Sequence, residues 1–301
     1  MNIRDLEYAV TVADFGHFGR AAEACHVSQP ALSGQIKKLE QELGVDLFER
    51  TKRSVRVTDA GEDILRLARQ LLEQADAIRE TADALKDPYA GRLRLGIIPT
   101  IGPYLTPLLL PSLTHHLPRL ELTLVESMTH VLEQRLVDGD IDAAILATPP
   151  EESRLTAIAL YDEPFWIALP HGHRLEAEES IDAADIQLDE LLLLADGHCL
   201  RDQVLSFCHR GGSATNTQDT SLATILALVG AGAGVTLVPA ISLQGSWMTD
   251  AGIAVRREKS GLAQRTVTLV FRASYPRREI LEKLADIICA IVPDTVNPSR
   301  R

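Results

Sequence analysis

Residues 18–44 read FGRAAEACHVSQPALSGQIKKLEQELG, and this stretch decides the fold of the N-terminal part of the chain. Its small residues favour a short helix that can pack closely, and His26-Val27 then makes a turn. Ser28 is a good helix N-cap, and Pro30 falls in the first turn, where its missing N–H costs nothing. Apolar residues recur at helical spacing from there to Gly44, which ends a second helix. The pattern predicts a helix-turn-helix.

The second of these helices is predicted to read DNA. The N-terminal end of a recognition helix enters the major groove, where Gln can bond adenine and Ser can contact either type of base pair. Arg50–Val57 follows with four basic residues and the alternation of a hairpin strand, so we expect a wing that grips phosphates. A small helical domain with a solvated basic loop is the alternative. The predicted DNA contacts are Arg4, Ser28, Gln29, Pro30, Ser33, Gln35, Lys37, Arg50, Lys52 and Arg53.

Two further amphipathic helices flank this motif. The helix ahead of it places three apolar residues on one face, namely Leu6, Val10 and Ala13. The helix behind it starts at Thr58-Asp59, runs to about Lys86, and carries an a/d seam over about three heptads. A monomer could bury that seam against its own body, but a dimer explains it better and suits palindromic DNA sites. Asp87–Gly91 then breaks the helix and is expected to serve as a hinge. The seam residues are Ile64, Ala68, Leu71, Ala75, Ile78, Ala82 and Leu85.

Charge is distributed unevenly along the chain. The 301 residues include 30 Lys and Arg against 42 Asp and Glu, a net charge of −12, yet residues 1–58 hold eight of each sign. This balance excludes a chain that coats nucleic acid over its whole surface, and it indicates a separate role for the neutral N-terminal part. The N-terminus lacks the apolar run of a secretion signal, so we expect a cytoplasmic protein. The uncharged stretch 221–246 is expected to be a buried helix–strand unit rather than a membrane span.

From Arg92 onwards, short strands alternate with helices, which predicts an α/β unit with a largely parallel sheet. Ligands of such sheets bind beyond the carboxyl ends of the strands. Thr100 and Thr129 are expected at two of those ends, where each hydroxyl could hold a small polar ligand or cap a helix. The predicted domains are 1–58, 59–87 and 91–301. The last divides into two lobes with a double crossover, of the type found in periplasmic binding proteins: 91–162 with 268–301, and 163–267.

The stretch Gly197–Cys208 holds two of the four cysteines, nine positions apart. Apolar residues between them predict a helix, in which nine steps span about 13 Å. A disulfide needs Cα atoms within about 7 Å, so bridging Cys199 and Cys208 would require the helix to melt, which makes two discrete states. His198 and Arg201 are potentially cationic, and a place near a helix N-terminus would also favour a reactive thiolate. Phe207 suggests that the second thiol is buried. Two inert core cysteines are the alternative.

Other motifs indicate neither a cofactor nor a metal. The glycine-rich stretch 230–234 follows a helix and precedes a strand, the reverse of the dinucleotide-binding order. His115-His116 and His171–His173 have no Cys or carboxylate cluster with ligand spacing around them. The chain contains no Gly-x-Ser-x-Gly motif and no phosphate loop. Cys25 and Cys289 lie among small or apolar neighbours and are expected in cores.

Several motifs together give a specific resemblance: Met1–Tyr8, Cys25–Pro30, Ile98–Leu105, and Asp196–Gln203 with Cys208. In these motifs the chain resembles the LysR-type transcriptional regulators, and most closely those that sense peroxide. Residues 211–219 are the poorest match, and the tail ends soon after Pro293. The resemblance implies a winged helix-turn-helix, a linker-helix coiled coil, and a two-lobed regulatory domain similar to periplasmic binding proteins. It also implies an activator that is not an enzyme, needs no cofactor, and assembles as a dimer and a tetramer that contact RNA polymerase.

The resemblance further implies a redox site. Cys199 would be the peroxidatic thiol and Cys208 its resolving partner. The implied peroxide pocket consists of Thr100, Thr129, His198, Arg201 and Asp202. Three functions follow in order of preference: a peroxide-sensing transcription factor switched by a Cys199–Cys208 disulfide, a LysR-type regulator that binds a metabolite in its cleft with incidental cysteines, and a thiol peroxidase.

Overall fold

The computed structural model describes residues 1–50, 55–84, 87–207, 215–216, 221–244 and 252–299. They form two compact units, Met1–Ala82 and Asp83–Arg301. Cys208 and the tip of the predicted wing, with Lys52 and Arg53, lie outside the described residues.

The first unit contains the predicted helix-turn-helix. Helices α1 (Ile3–Phe15), α2 (Phe18–Ala24) and α3 (Gln29–Leu43) are followed by a hairpin of β1 (Phe48–Arg50) and β2 (Val55–Val57). The Ser28 hydroxyl accepts the Ala31 N–H at 3.3 Å, and Gly44 ends α3 in the left-handed region, as the sequence predicted. In the turn before α3, His26 has φ +53°, a backbone conformation that residues other than glycine rarely adopt.

The buried face of α1 is shifted from the predicted one. Leu6, Ala9 and Val12 are buried, whereas Val10 and Ala13 are only half-buried. Two overlapping apolar stripes run along this helix, Leu6-Ala9-Val12 and Leu6-Val10-Ala13. Packing against α2 and α3 buries the stripe Leu6-Ala9-Val12.

The linker helix α4 (Asp59–Ala84) uses its predicted seam in two ways. Near its start, the seam residue Ala68 is buried in the core of the first unit and Ile64 is half-buried against it, while Leu65, which the seam did not include, is buried there as well. Further along, Leu71 is 42% exposed and Ile78 is 72% exposed. The described part of α4 therefore presents apolar side chains beyond those that its own unit buries.

The second unit is an α/β body. Its helices are α5 (Gly102–His116), α6 (Thr129–Asp138), α7 (Cys199–Phe207), α8 (Leu222–Gly230) and α9 (Arg278–Ile291), with short 3₁₀ turns at 183–185, 188–190 and 240–244. Its strands are β3 (Gly91–Ile97), β4 (Leu120–Glu126), β5 (Ala143–Leu146), β6 (Leu155–Pro170), β7 (Ser180–Ile181), β8 (Leu192–Leu193), β9 (Thr215–Asn216), β10 (Thr236–Pro239), β11 (Ile253–Glu258), β12 (Gln264–Arg272) and β13 (Asn297–Pro298). No described helix is long and apolar enough to cross a membrane, and the uncharged stretch forms α8 and β10 as predicted.

The prediction of a largely parallel sheet is wrong. The main sheet has the order β4-β3-β5-β12-β6-β11-β7, and β10 and β13 also pair with β6. Strand β3 runs parallel to β4 and β5, but β12 is antiparallel to both β5 and β6, and β6 is antiparallel to β10 and β11. The 16-residue β6 and the returning β12 cross the unit in opposite directions, so the sheet is mixed.

Two hydrophobic cores lie along these crossing strands. Core I is built on β3, β5, α5, α6 and α9 and takes Leu155–Tyr161 of β6. Core II is built on α7, α8, β8 and β10 and takes Phe165–Leu169 of the same strand. One continuous strand thus serves both cores. The exact domain and lobe limits stay a prediction.

Candidate redox site

Cys199 lies where the two cores meet. It is the first residue of α7, directly after a turn in which Gly197 has φ +94°. Leu200 and Val204 of α7 are buried in core II, while the half-buried Cys199 packs against core I and carries a free thiol. The predicted helix between the two cysteines is present as far as Phe207, whose ring packs 5.6 Å from that of Phe165. Helix α7 is therefore held in core II, while the residue that would react packs against core I.

A small pocket brings Cys199 together with two distant threonines. Its lining comes from the loop after β3, the start of α6 and the turn before α7, and consists of Ile98, Pro99, Thr100, Met128, Thr129, Gly197, His198 and Cys199. Thr100 and Thr129 follow neighbouring parallel strands, so they meet at the same edge of the sheet, as predicted. Neither is a side-chain N-cap, because α5 is preceded by Ile101 and α6 by Met128 with no side-chain cap bond.

The two threonine hydroxyls have different surroundings. Thr100 is 2% exposed, and its Oγ1 accepts a hydrogen bond from Arg265 Nη1 at 3.1 Å. Because Arg265 donates to the Thr100 hydroxyl oxygen, the hydrogen of that hydroxyl is left for another acceptor. Thr129 Oγ1 is buried and has no hydrogen-bond partner among the described residues. Buried polar groups are normally satisfied, so an orphaned hydroxyl at a pocket wall indicates a site for a polar ligand.

Behind Thr100 lies a buried ion pair that the sequence reasoning missed. Arg265 Nε contacts Glu163 Oε2 at 2.7 Å, with both side chains at most 1% exposed. Glu163 Oε1 also accepts the Ile241 N–H at 2.7 Å, and Arg265 Nη2 reaches the Thr100 carbonyl at 3.4 Å. A buried charge pair needs this degree of hydrogen bonding to offset its desolvation. Charged residues inside two largely apolar strands, Asp162-Glu163 in β6 and Arg265 in β12, were the signal that could have found it.

His198 departs from its predicted electrostatic role. It lines the pocket and is 8% exposed, and burial lowers its pKa below the ordinary 6.5. The imidazole is therefore neutral near pH 7 and supplies no cation to Cys199. The positive end of α7, which begins at Cys199, is the local feature that favours a negative charge.

Arg201 and Asp202 lie outside this lining. Arg201 Nε pairs with Asp196 at 2.8 Å, and its Nη1 donates to the Leu194 carbonyl at 3.0 Å, so it braces the turn that presents Cys199. Asp202 is exposed on α7. Gln203, which the sequence reasoning left out, donates from Nε2 to the Ala147 carbonyl at 2.8 Å and ties α7 to the end of β5.

The structure describes the side chains of only some of the predicted DNA-contacting residues, because Arg50, Lys52 and Arg53 lie outside the side chains it describes. Gln29, Gln35 and Lys37 are exposed on α3, and Ser33 is half-buried. Arg4 is exposed, with its guanidinium 5.6 Å from the Tyr8 ring. The Ser28 oxygen caps α3, so its hydrogen is the part available to DNA.

The remaining histidines and cysteines have local explanations. His171 pairs with Glu176 at 2.7 Å and His173 with Glu190 at 3.4 Å, and the described residues contain no group of three side chains suited to a metal ion. Cys289 is buried and donates to the Leu160 carbonyl at 3.0 Å, whereas Cys25 is only half-buried.

Comparison with known proteins gives a consistent result over the whole chain. Residues 3–62 match the family described as bacterial regulatory helix-turn-helix protein, lysR family, and residues 86–290 match the LysR substrate binding domain. The hydrogen peroxide-inducible genes activator of Pectobacterium carotovorum subsp. carotovorum is 43% identical over 290 residues, 96% of each chain. The DNA-binding transcriptional dual regulator OxyR of Escherichia coli K12 is 43% identical over 292 residues, 96% of this chain and 95% of that one.

Solved structures agree with these relatives. A full-length OxyR variant from Pseudomonas aeruginosa is 44% identical, with a TM-score of 0.83, and the match covers 97% of this chain and 96% of that one. A Corynebacterium glutamicum OxyR mutant with bound hydrogen peroxide is 37% identical, with a TM-score of 0.64, over 96% of this chain and 92% of that one.

Proposed function

The chain belongs to the LysR family of bacterial transcriptional regulators, and from that premise we propose that it senses hydrogen peroxide through Cys199 and passes the signal to DNA. The observation that carries the proposal is the pocket in which the Cys199 thiol lies with the hydroxyls of Thr100 and Thr129. The peroxide-responsive relatives support it, and the family consists of regulators rather than enzymes.

The pocket offers what the first chemical step requires. The Cys199 thiolate attacks one oxygen of H2O2, the O–O bond breaks, and the other oxygen leaves as hydroxide, which takes a proton from solvent to become water. Sulfur loses two electrons and becomes a sulfenic acid. The Thr100 and Thr129 hydroxyls can hydrogen-bond the peroxide oxygens, and the positive end of α7 stabilises negative charge during the attack.

The second step requires a change of fold. The Cys208 thiolate attacks the Cys199 sulfenic acid, an S–S bond forms, and the hydroxide that departs becomes water with one proton. Because α7 places Cys199 and Phe207 at opposite ends of a helix, the two sulfurs meet only if α7 unwinds. Unwinding removes Leu200 and Val204 from core II and breaks the Gln203 bond to Ala147. The reduced and oxidised states therefore pack the side chains of α7 in two different arrangements, not in one arrangement with small adjustments.

We assign DNA recognition to the first unit. Helix α3 would read the major groove with the predicted side chains, and β1 and β2 would place the basic tip on phosphates. The apolar side chains that α4 leaves exposed support a dimer through this helix, which suits a palindromic DNA site. The same proposal includes a tetramer, contact with RNA polymerase and a cytoplasmic location. It also includes the domain limits 1–58, 59–87 and 91–301.

A metabolite-binding regulator is the second candidate. The unpartnered Thr129 hydroxyl favours it, because that group would bind any small polar ligand and needs no cysteine. Such a ligand would raise the melting temperature of the protein whether or not a reductant is present.

Peptide mass spectrometry after one equivalent of hydrogen peroxide tests the proposal. We expect a Cys199–Cys208 disulfide that dithiothreitol reverses, and no disulfide in Cys199→Ser. Cys25→Ser is the matched control, because that half-buried thiol lies outside the pocket and its loss should leave the response intact. If both thiols of the wild-type protein stay reduced, the redox mechanism is wrong and the metabolite reading takes its place.

A further inference from the structure

The chain enters the second unit through a segment that is fixed on several sides. The Asp87 carboxylate pairs with Arg119 and accepts the Tyr89 N–H at 3.0 Å. The Gly91 N–H donates to the Arg119 carbonyl at 3.1 Å, and Gly91 pairs with Leu120 in the sheet. The helix ends before Asp87–Gly91 as the sequence predicted, and these contacts attach the segment to the body of the second unit; the hinge itself stays a prediction.

Arg277 closes the other side of this segment. It is 5% exposed, and its guanidinium donates to the Arg92 carbonyl at 2.8 Å and to the Ala90 carbonyl. These two carbonyls bracket Gly91, which has φ +96° and whose missing Cβ would lie 3.7 Å from Arg277 Nη1. A buried guanidinium without hydrogen bonds would be strongly destabilising, so both carbonyls are tied to the position of Arg277.

Arg277 directly precedes a helix that is buried in core I. Arg277 is the residue before α9, and Ile280, Leu281 and Leu284 of that helix are fully buried in core I. Close-packed interiors transmit displacement rather than absorb it. A movement of α9 with core I therefore carries the Ala90 and Arg92 carbonyls with it.

We propose that Arg277 is a positioning residue that couples the redox state of Cys199 to the linker segment, and so to DNA. The inference rests on the proposed function and adds the route by which its signal leaves the second unit. Unwinding of α7 removes the packing of Cys199 against core I, core I and core II shift relative to one another, and Arg277 holds residues 87–92 to core I during that shift. Without Arg277 the segment would keep only its contacts with Arg119 and its sheet pairing, so less of the shift would reach the linker.

Replacement of Arg277 separates sensing from transmission in the full-length protein. In Arg277→Ala we expect disulfide formation by one equivalent of peroxide at the wild-type rate, and normal DNA binding in the reduced form. We expect the footprint difference, that is, the change in DNA protection between the reduced and oxidised forms, to be smaller than in the wild-type protein by about fivefold or more. Fivefold is the lower end of typical allosteric coupling. Arg277→Lys should recover part of it, because a lysine keeps the charge but lacks the fork that reaches two carbonyls.

The adjacent arginine provides the control. Arg278 is exposed and pairs with Glu282 one turn along α9 at 3.0 Å, so Arg278→Ala should keep the wild-type footprint difference. A footprint difference in Arg277→Ala within twofold of wild type would overturn the inference. If Arg277→Ala does not fold, Asp87→Asn decides instead, because it weakens the Asp87–Arg119 pair that fixes the same segment on its other side. Failure of the wild-type protein to form the disulfide would refute the proposed function itself, a distinct outcome.

Discussion

The two pocket threonines should respond differently to the same substitution. Thr129→Val replaces a buried hydroxyl that has no partner among the described residues, so the loss removes a desolvation penalty and breaks no described bond. Thr100→Val removes the acceptor of Arg265 Nη1 and leaves a buried donor unpaired. We therefore expect Thr129→Val to be neutral or stabilising, whereas Thr100→Val should lower the free energy of unfolding by about 1–3 kcal/mol.

Both substitutions should nevertheless slow peroxide sensing. A hydrogen bond to a group that develops charge contributes about 1.5–3 kcal/mol, and each 1.4 kcal/mol is about tenfold in rate. Loss of the Thr129 hydroxyl should therefore slow the oxidation of Cys199 by roughly 10- to 150-fold without a loss of stability. Stopped-flow measurement of Cys199 oxidation and urea unfolding of the reduced protein measure the two quantities on the same samples. Wild-type oxidation rates in Thr129→Val, or a stability loss equal to that of Thr100→Val, would refute the reasoning.

Three further predictions follow from burial and charge. Glu163→Gln leaves the buried Arg265 uncompensated and should lower the free energy of unfolding by about 3–5 kcal/mol, whereas Glu282→Gln at an exposed pair should change it by at most about 1 kcal/mol; urea unfolding decides. Burial lowers the pKa of His198 below 6.5, so the unfolded chain takes up the proton first as the pH falls. Stability should therefore decline as the pH drops below about 6.5, and a decline of equal size in His198→Gln would contradict this assignment. Ile78→Glu should shift the protein towards monomer in analytical ultracentrifugation with unchanged helix content by circular dichroism, and an unchanged dimer would exclude α4 as the interface.

Features that depend on neighbouring residues were predictable from the sequence. The Ser28 cap, the Gly44 stop and the presence of α7 between the two cysteines all depend on groups within a few residues of one another. The choice between the two apolar stripes of α1 was not predictable in the same way. Both stripes satisfy helical periodicity, and only contact with α2 and α3 distinguishes them.

The sequence by itself determined the helix-turn-helix, the alternation of strands and helices, and the helix that begins at Cys199. Only the tertiary structure decided that Arg265 reaches across 102 positions to Glu163 behind Thr100, that the Thr129 hydroxyl is left without a partner among the described residues, and that burial lowers the pKa of His198. The physical reason is that periodicity and capping act over one or two helical turns. Desolvation and long-range hydrogen bonds depend instead on which side chains the packing of distant strands and helices brings into contact and removes from water.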